Sequence, residues 1–354
     1  MKILLLGELS GVHKYLTQGL RELGHEVLFI SFGDCFKKIE GDINFFYPDN
    51  KITKQFQKIN IFLQLLQICK DFEVVQILSP FIIMSHLKPL EYLFNYIKKH
   101  NNKVSLYLCA TDPIYWHIGT RLLNYSPVKD NIIIDYKNKI PKVYNNNFYE
   151  FYIELAKKMD FLIPSMYEYA IGYKELNFNL TEPIPLPINV STQEYNFPNV
   201  DKLQILHGIL REGFKGTKYI QDAINKLNQK YNNFEYTEIG FLPLNEYLDI
   251  IKRTNIIIDQ TSSYSYGMNA IISLAQGKIV LSGSEKVAMD FLGIENSPII
   301  NITPDSMNIF EQIEILLNKN FDELQNLSLK SLEYVKKYHD HKIIAQKFIE
   351  IWKR

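Results

Sequence analysis

Arg211 and Lys215 stand four residues apart in the stretch His207 to Leu227, HGILREGFKGTKYIQDAINKL. Arginine offers a planar fork to paired oxygens, and lysine a compact point charge. Both sit in a glycine-containing loop between a short apolar strand and an amphipathic helix. Such a loop suits an anion, because the first N–H groups of a helix are unpaired and carry the positive end of its dipole. A diphosphate fits two cations so placed; the plain alternative is a pair of solvated surface charges. A second place for an anion or a sugar is the run Thr261-Ser262-Ser263-Tyr264-Ser265-Tyr266-Gly267, which opens a helix at Met268. Helix capping accounts for one of those hydroxyls but not six in a row. Asp112 ends an apolar strand near Trp116 and His117. It is either a site carboxylate or the cap of the next turn, and Trp116 reads as core.

The elements that must position these residues alternate along the chain. Residues 3–6 form an unbroken apolar run, as in a parallel strand buried on both faces. Val12, Leu16, Leu20 and Leu23 then recur at helical spacing until Gly24, and 26–31 gives a second strand. The loop between them, Gly7-Glu8-Leu9-Ser10-Gly11, is not GxGxxG, so no dinucleotide fingerprint is present. Strands follow at 74–78, 104–109 and 161–164, with helices at 59–69, 87–99, 148–158 and 167–175. Between 118 and 147 the pattern dissolves, which suggests long loops. Pro183-Ile184-Pro185-Leu186-Pro187 forbids helix and stiffens an extended crossing, as an interdomain linker requires.

Alternation then restarts with strands at 203–207, 234–239, 256–258 and 279–282. Helices run to 227, from a cap at Asn245 to 253, over 268–276, and over 306–317, 321–337 and 341–352. The expected fold is α/β, two Rossmann-like domains with a ligand cleft between them. The expected divisions are 1–185, 186–338, and a C-terminal helix at 339–354 packing back on the first domain.

With 354 residues the chain can bury two cores. Its 39 basic and 39 acidic side chains cancel, which argues against nucleic acid as a partner. The opening MKILLLGELSG reads as a buried strand rather than a signal peptide, and no apolar run approaches a membrane span. Cys35, Cys69 and Cys109 are scattered, with neither disulfide nor zinc spacing, and read as small core residues. A cytoplasmic protein is expected. The basic end of the helix at 87–100, Lys98-Lys99-His100, is a candidate for peripheral membrane contact, or simply a favourable helix terminus.

Taken in order, four segments resemble GT-B glycosyltransferases of the large retaining, family 4-like group. MKILLLGELSG with RELGHEV is similar to that group's opening strand, glycine loop and second strand. The proline crossing into Ile188-Asn189 is similar to its linker. REGFKG stands where its diphosphate loop stands, and YGMNAIISLAQGKIV is similar to its helix-opening glycine segment. The resemblance implies a nucleotide-sugar donor, a glycan or lipid-linked acceptor, polysaccharide biosynthesis, and no cofactor or metal. It implies that Arg211 and Lys215 grip the donor diphosphate. Gly240, Phe241 and Leu242 would hold the base, and Gly267 and Met268 would face phosphate or sugar. Ser262, Ser263, Tyr264 and Tyr266 would line the same loop, and Gly11 would permit close approach. Asp112 and His117 would serve the acceptor. The group's two glutamates, however, are replaced by Tyr264 and Ile272. Three explanations stay open: Asp259 or another carboxylate substitutes, the donor sits differently, or activity is lost. Other activities that suit this fold are a nucleotide-sugar epimerase or hydrolase and a non-catalytic binding subunit.

Overall fold

The computed structural model describes residues 1–34, 37–46, 51–83, 87–109, 112–127, 129, 145–209, 215–240 and 244–354; at 51–55, 82, 244–245 and 247–248 it describes the backbone alone. The chain forms two compact units. The first contains Met1–Leu122, Pro141–Asn189 and His341–Arg354, and the second contains Leu123–Ile140 and Val190–Asp340.

The first unit is built on a six-stranded parallel sheet. Its strands are β1 (Lys2–Leu6), β2 (Glu26–Ser31), β3 (Ile43–Asn44), β4 (Val74–Ile77), β5 (Lys103–Leu108) and β6 (Phe161–Pro164). They lie in the order β3-β2-β1-β4-β5-β6. Ile3, Leu4, Leu5 and Leu6 are wholly buried, as a strand covered on both faces must be. The proline crossing packs within this unit. The Ile184 N–H donates to the Pro164 carbonyl at 2.9 Å, and the Tyr107 hydroxyl donates to the Ile184 carbonyl at 2.6 Å.

The C-terminal helix His341–Trp352 lies against the helix Val12–Glu22 in the same unit. A Cβ on Gly19 would fall 2.2 Å from the His341 carbonyl oxygen, so glycine permits that close approach. At the helix end, Trp352 Nε1 donates to Ser105 Oγ at 3.1 Å, and Ser105 in turn donates to the buried Gln76 side chain. That chain satisfies polar groups which burial would otherwise penalise.

The second unit has a five-stranded parallel sheet: β7 (Leu203–Gly208), β8 (Phe234–Ile239), β9 (Ile256–Ile258), β10 (Ile279–Ser282) and β11 (Ile300–Asn301). Their order is β11-β10-β9-β7-β8. Ile205, Ile256, Ile258, Ile279 and Leu281 form the centre of its core. The alternation in the sequence thus yields two doubly wound units. The two-residue strands β3 and β11 and the helix Lys286–Leu292 are not expected from the sequence, because elements so short carry little periodicity. Cys69 and Cys109 are free and buried, and Cys35 lies outside the described residues. Among the described residues, no helix is long and apolar enough to cross a membrane.

Candidate functional site

In an open parallel sheet, ligands bind at the carboxyl edge where the strand order reverses. In the second unit that point lies between β7 and β9, which are neighbours although β8 separates them in sequence. Lys215 follows β7 and Asp259 follows β9, and the fold brings them together there. Lys215 Nζ donates to Asp259 Oδ1 at 2.6 Å. Lys215 keeps 18% of its side chain exposed, whereas Asp259 is completely buried.

The carboxylate is held by two further side chains. Asn269 Nδ2 donates to Oδ1 at 3.0 Å and Ser282 Oγ donates to Oδ2 at 3.4 Å. Burial pushes the Asp259 carboxyl upward, but the charge and hydrogen bond of Lys215 and the Asn269 amide outweigh it. The group ends below its ordinary range and stays ionised at neutral pH. His207, on β7, ties the same point to the next helix. A carbonyl can only accept, so His207 Nδ1–H donates to the Ile258 carbonyl at 2.8 Å. Nε2 then accepts from the Thr217 hydroxyl at 3.0 Å. Burial lowers the His207 pKa, which keeps the ring neutral.

The helix Thr217–Asn228 begins at Gly216, whose φ of 70° is left-handed. A Cβ there would meet Thr261 Oγ1 at 1.9 Å. The helix Met268–Ala275 begins at Gly267. Neither glycine carries a capping side chain, so both helices present backbone N–H groups near the Lys215–Asp259 pair.

That loop is buried from Thr261 to Tyr266, and Ser262 and Ser263 lie within it. Tyr264 takes the Asn124 N–H on its hydroxyl at 3.2 Å, and its ring lies 4.7 Å from that of Tyr125. Tyr266 turns inward. Its hydroxyl bonds to Tyr334 and to His339 Nε2, in the interior of the unit. The sequence reading placed its side chain at a ligand; the structure gives it to the core, because a buried hydroxyl needs partners and finds them on the Phe321–Tyr338 helix and the residue after it. Met268 is buried at the first position of its helix, and Gly240 is exposed at the end of β8. Arg211, Phe241 and Leu242 lie outside the described residues.

In the first unit the corresponding reversal, between β1 and β4, is filled by the protein itself. Glu8 Oε1 accepts the Gly11 N–H at 2.8 Å and Oε2 accepts the Lys14 N–H at 2.9 Å. This carboxylate occupies the helix N-terminus where an anionic ligand would otherwise sit. Gly11 is the left-handed N-cap of that helix, with its N–H already engaged. The structure thus gives Gly11 a local role at the start of this helix. Asp112 is likewise engaged within its own unit. Its Oδ1 accepts the N–H groups of Ile114 and Tyr115 at 2.8 and 3.1 Å, and its Oδ2 accepts the Tyr173 hydroxyl at 2.7 Å. It is completely buried, caps the next turn, and has its pKa raised to about 6 by that burial. His117 stacks on Tyr149 with ring centroids 4.5 Å apart.

Solved structures share this architecture across the whole chain. Sucrose-phosphate synthase from Thermosynechococcus elongatus matches with a TM-score of 0.67 at 13% identity, covering 100% of this chain and 98% of that one. HepE from Anabaena in complex with UDP-glucose matches at 0.62 and 12% identity, covering 100% and 99%. The fold is GT-B. The UDP-GlcNAc 2-epimerase from Neisseria meningitidis bound to UDP-GlcNAc shares it, with a TM-score of 0.52 at 12% identity over 99% of both chains. No protein-family model matches the sequence, and no curated protein matches it.

On this GT-B frame, Lys215 and the glycines before both helices, singled out from the sequence, lie at the strand-order reversal of the second unit. Sequence reasoning noted Asp259 only as a possible substitute carboxylate, and did not connect His207, Asn269 or Ser282. Asp259 carried one legible signal, its place directly after the apolar strand Ile256–Ile258. Nothing in the sequence says that β9 lies beside β7. Lys98 and His100, considered for membrane contact, make contacts within their unit: Lys98 pairs with Asp160 at 2.5 Å and His100 stacks on Tyr96.

Proposed function

We propose that this protein is a glycosyltransferase that takes a sugar from a nucleoside diphosphate donor. The observation that supports this reading is the lysine–aspartate pair at the strand-order reversal of the second unit, beside two helices started by glycine. Lys215, joined by Arg211 from the preceding loop, receives the diphosphate and stabilises the charge that grows on it as the sugar departs. In this reading the two cations do the work a divalent metal does elsewhere, and the sugar is a hexose transferred with retention. The backbone at Gly240, Phe241 and Leu242 holds the base. That HepE binds UDP-glucose and the Neisseria epimerase binds UDP-GlcNAc supports a uridine donor. The acceptor is a glycan or a lipid-linked glycan, and the setting is cytoplasmic polysaccharide assembly.

The test is turnover of UDP-glucose and related nucleotide sugars, with and without oligosaccharide acceptors. Charge-assisted hydrogen bonds contribute roughly 1.5–3 kcal/mol, so Lys215→Ala and Arg211→Ala should each lower turnover about 10- to 100-fold. Wild-type rates in both variants would remove these residues from the site. The epimerase in the same fold favours a second reading, conversion of the donor alone. Product formed without any acceptor would establish it.

A further inference from the structure

We infer that Asp259 is a positioning residue that holds the Lys215 ammonium just before the start of the helix Thr217–Asn228, ready for a nucleoside diphosphate. This rests on the reading of that helix start as part of the donor site. Lysine has the most rotamer freedom to lose when it must meet an anion. Here the fold settles its position beforehand. Asp259 is rigid: it ends a core strand, is completely buried, and takes hydrogen bonds from Asn269 on one oxygen and from Ser282 on the other. Among the described residues, the cation it contacts is Lys215, with Nζ at 2.6 Å. An ammonium has three donors, so the Asp259 contact leaves two for phosphate oxygens.

The same geometry says what Asp259 does not do. It points at the lysine, so it does not replace a glutamate on a ribose or a sugar. A carboxylate beside a lysine can also act as a competitor, neutralising the charge the ligand needs. The two roles differ in sign. A competitor's removal tightens binding of an anion, and a positioning residue's removal weakens it.

The experiment is calorimetric titration of UDP into the wild type, Asp259→Asn, Lys215→Met and the double variant, at fixed ionic strength and pH, with melting curves for each. Asp259→Asn should weaken UDP about tenfold, and the double variant should bind no more weakly than Lys215→Met alone, because Asp259 acts through the lysine. A merely structural role predicts instead that the two losses add. Asp259→Asn binding UDP as tightly as the wild type, or more tightly, overturns the inference and leaves the donor site standing. Wild type that ignores UDP, or Lys215→Met that binds it normally, overturns the donor-site reading and this inference with it. If Asp259→Asn does not fold, Asn269→Ala replaces it. It should weaken UDP a few-fold in the wild-type background and not at all beyond Lys215→Met, and equal losses in both backgrounds overturn the inference.

Discussion

The backbone N–H of Thr261 donates to the carbonyl of Lys215 at 3.2 Å. This bond joins the residue before Gly216 to the hydroxyl-rich loop after β9. Two loops with separate sequence signatures are therefore one structural piece.

Gly216→Ala tests that coupling. A Cβ at this left-handed position adds backbone strain, and it falls 1.9 Å from Thr261 Oγ1. Strain and displacement together should cost about 2–4 kcal/mol of stability. UDP affinity should fall as well, because Thr261 cannot stay in place. Denaturant unfolding and UDP titration measure the two effects, and unchanged values for both would show that the loops move independently.

Asp112→Asn should behave as a cap mutation. The amide cannot accept from both backbone N–H groups and the Tyr173 hydroxyl as the carboxylate does, and a loss of about 1–3 kcal/mol is expected. UDP affinity should stay within about twofold of wild type. Unchanged melting with abolished turnover would return Asp112 to the catalytic machinery.

Glu8 imposes a pH dependence of known sign. Burial raises its carboxyl from 4.5 to about 7, against the N–H groups of Lys14 and Gly11 that lower it. A folded pKa above the unfolded one means that its contribution is complete below pH 4.5 and is lost as the pH rises through 7. Relative to wild type, Glu8→Gln should therefore gain stability between those limits, by at most about 3 kcal/mol. Melting of both proteins from pH 4.5 to 7.5 measures the difference, and a flat difference would refute the shift.

Lys278 shows the opposite linkage. It is buried with its Nζ donating to the Asn196 carbonyl at 2.5 Å, and burial lowers its pKa from 10.5 to about 8. The unfolded chain binds the extra proton between these values, so wild-type stability from this group rises with pH across that window. Lys278→Met should accordingly be at its greatest advantage over wild type below pH 8 and lose that advantage towards 10.5. Urea midpoints at pH 7.5 and 10 decide it.

The sequence by itself determined the strand–helix rhythm and the strand bounds at 26–31, 161–164, 256–258 and 279–282, because buried parallel strands need apolar runs and glycines end several of the helices between them. It also determined the helix start at Gly216, whose left-handed backbone is a local requirement for glycine. Tertiary structure alone decided which polar side chains became a site. Asp112 and Tyr266 looked available in the sequence and became interior, while Asp259 met Lys215 across 44 residues. The reason is physical: a strand's neighbour is fixed by how the whole sheet packs, and a buried polar group takes the partner that neighbour brings.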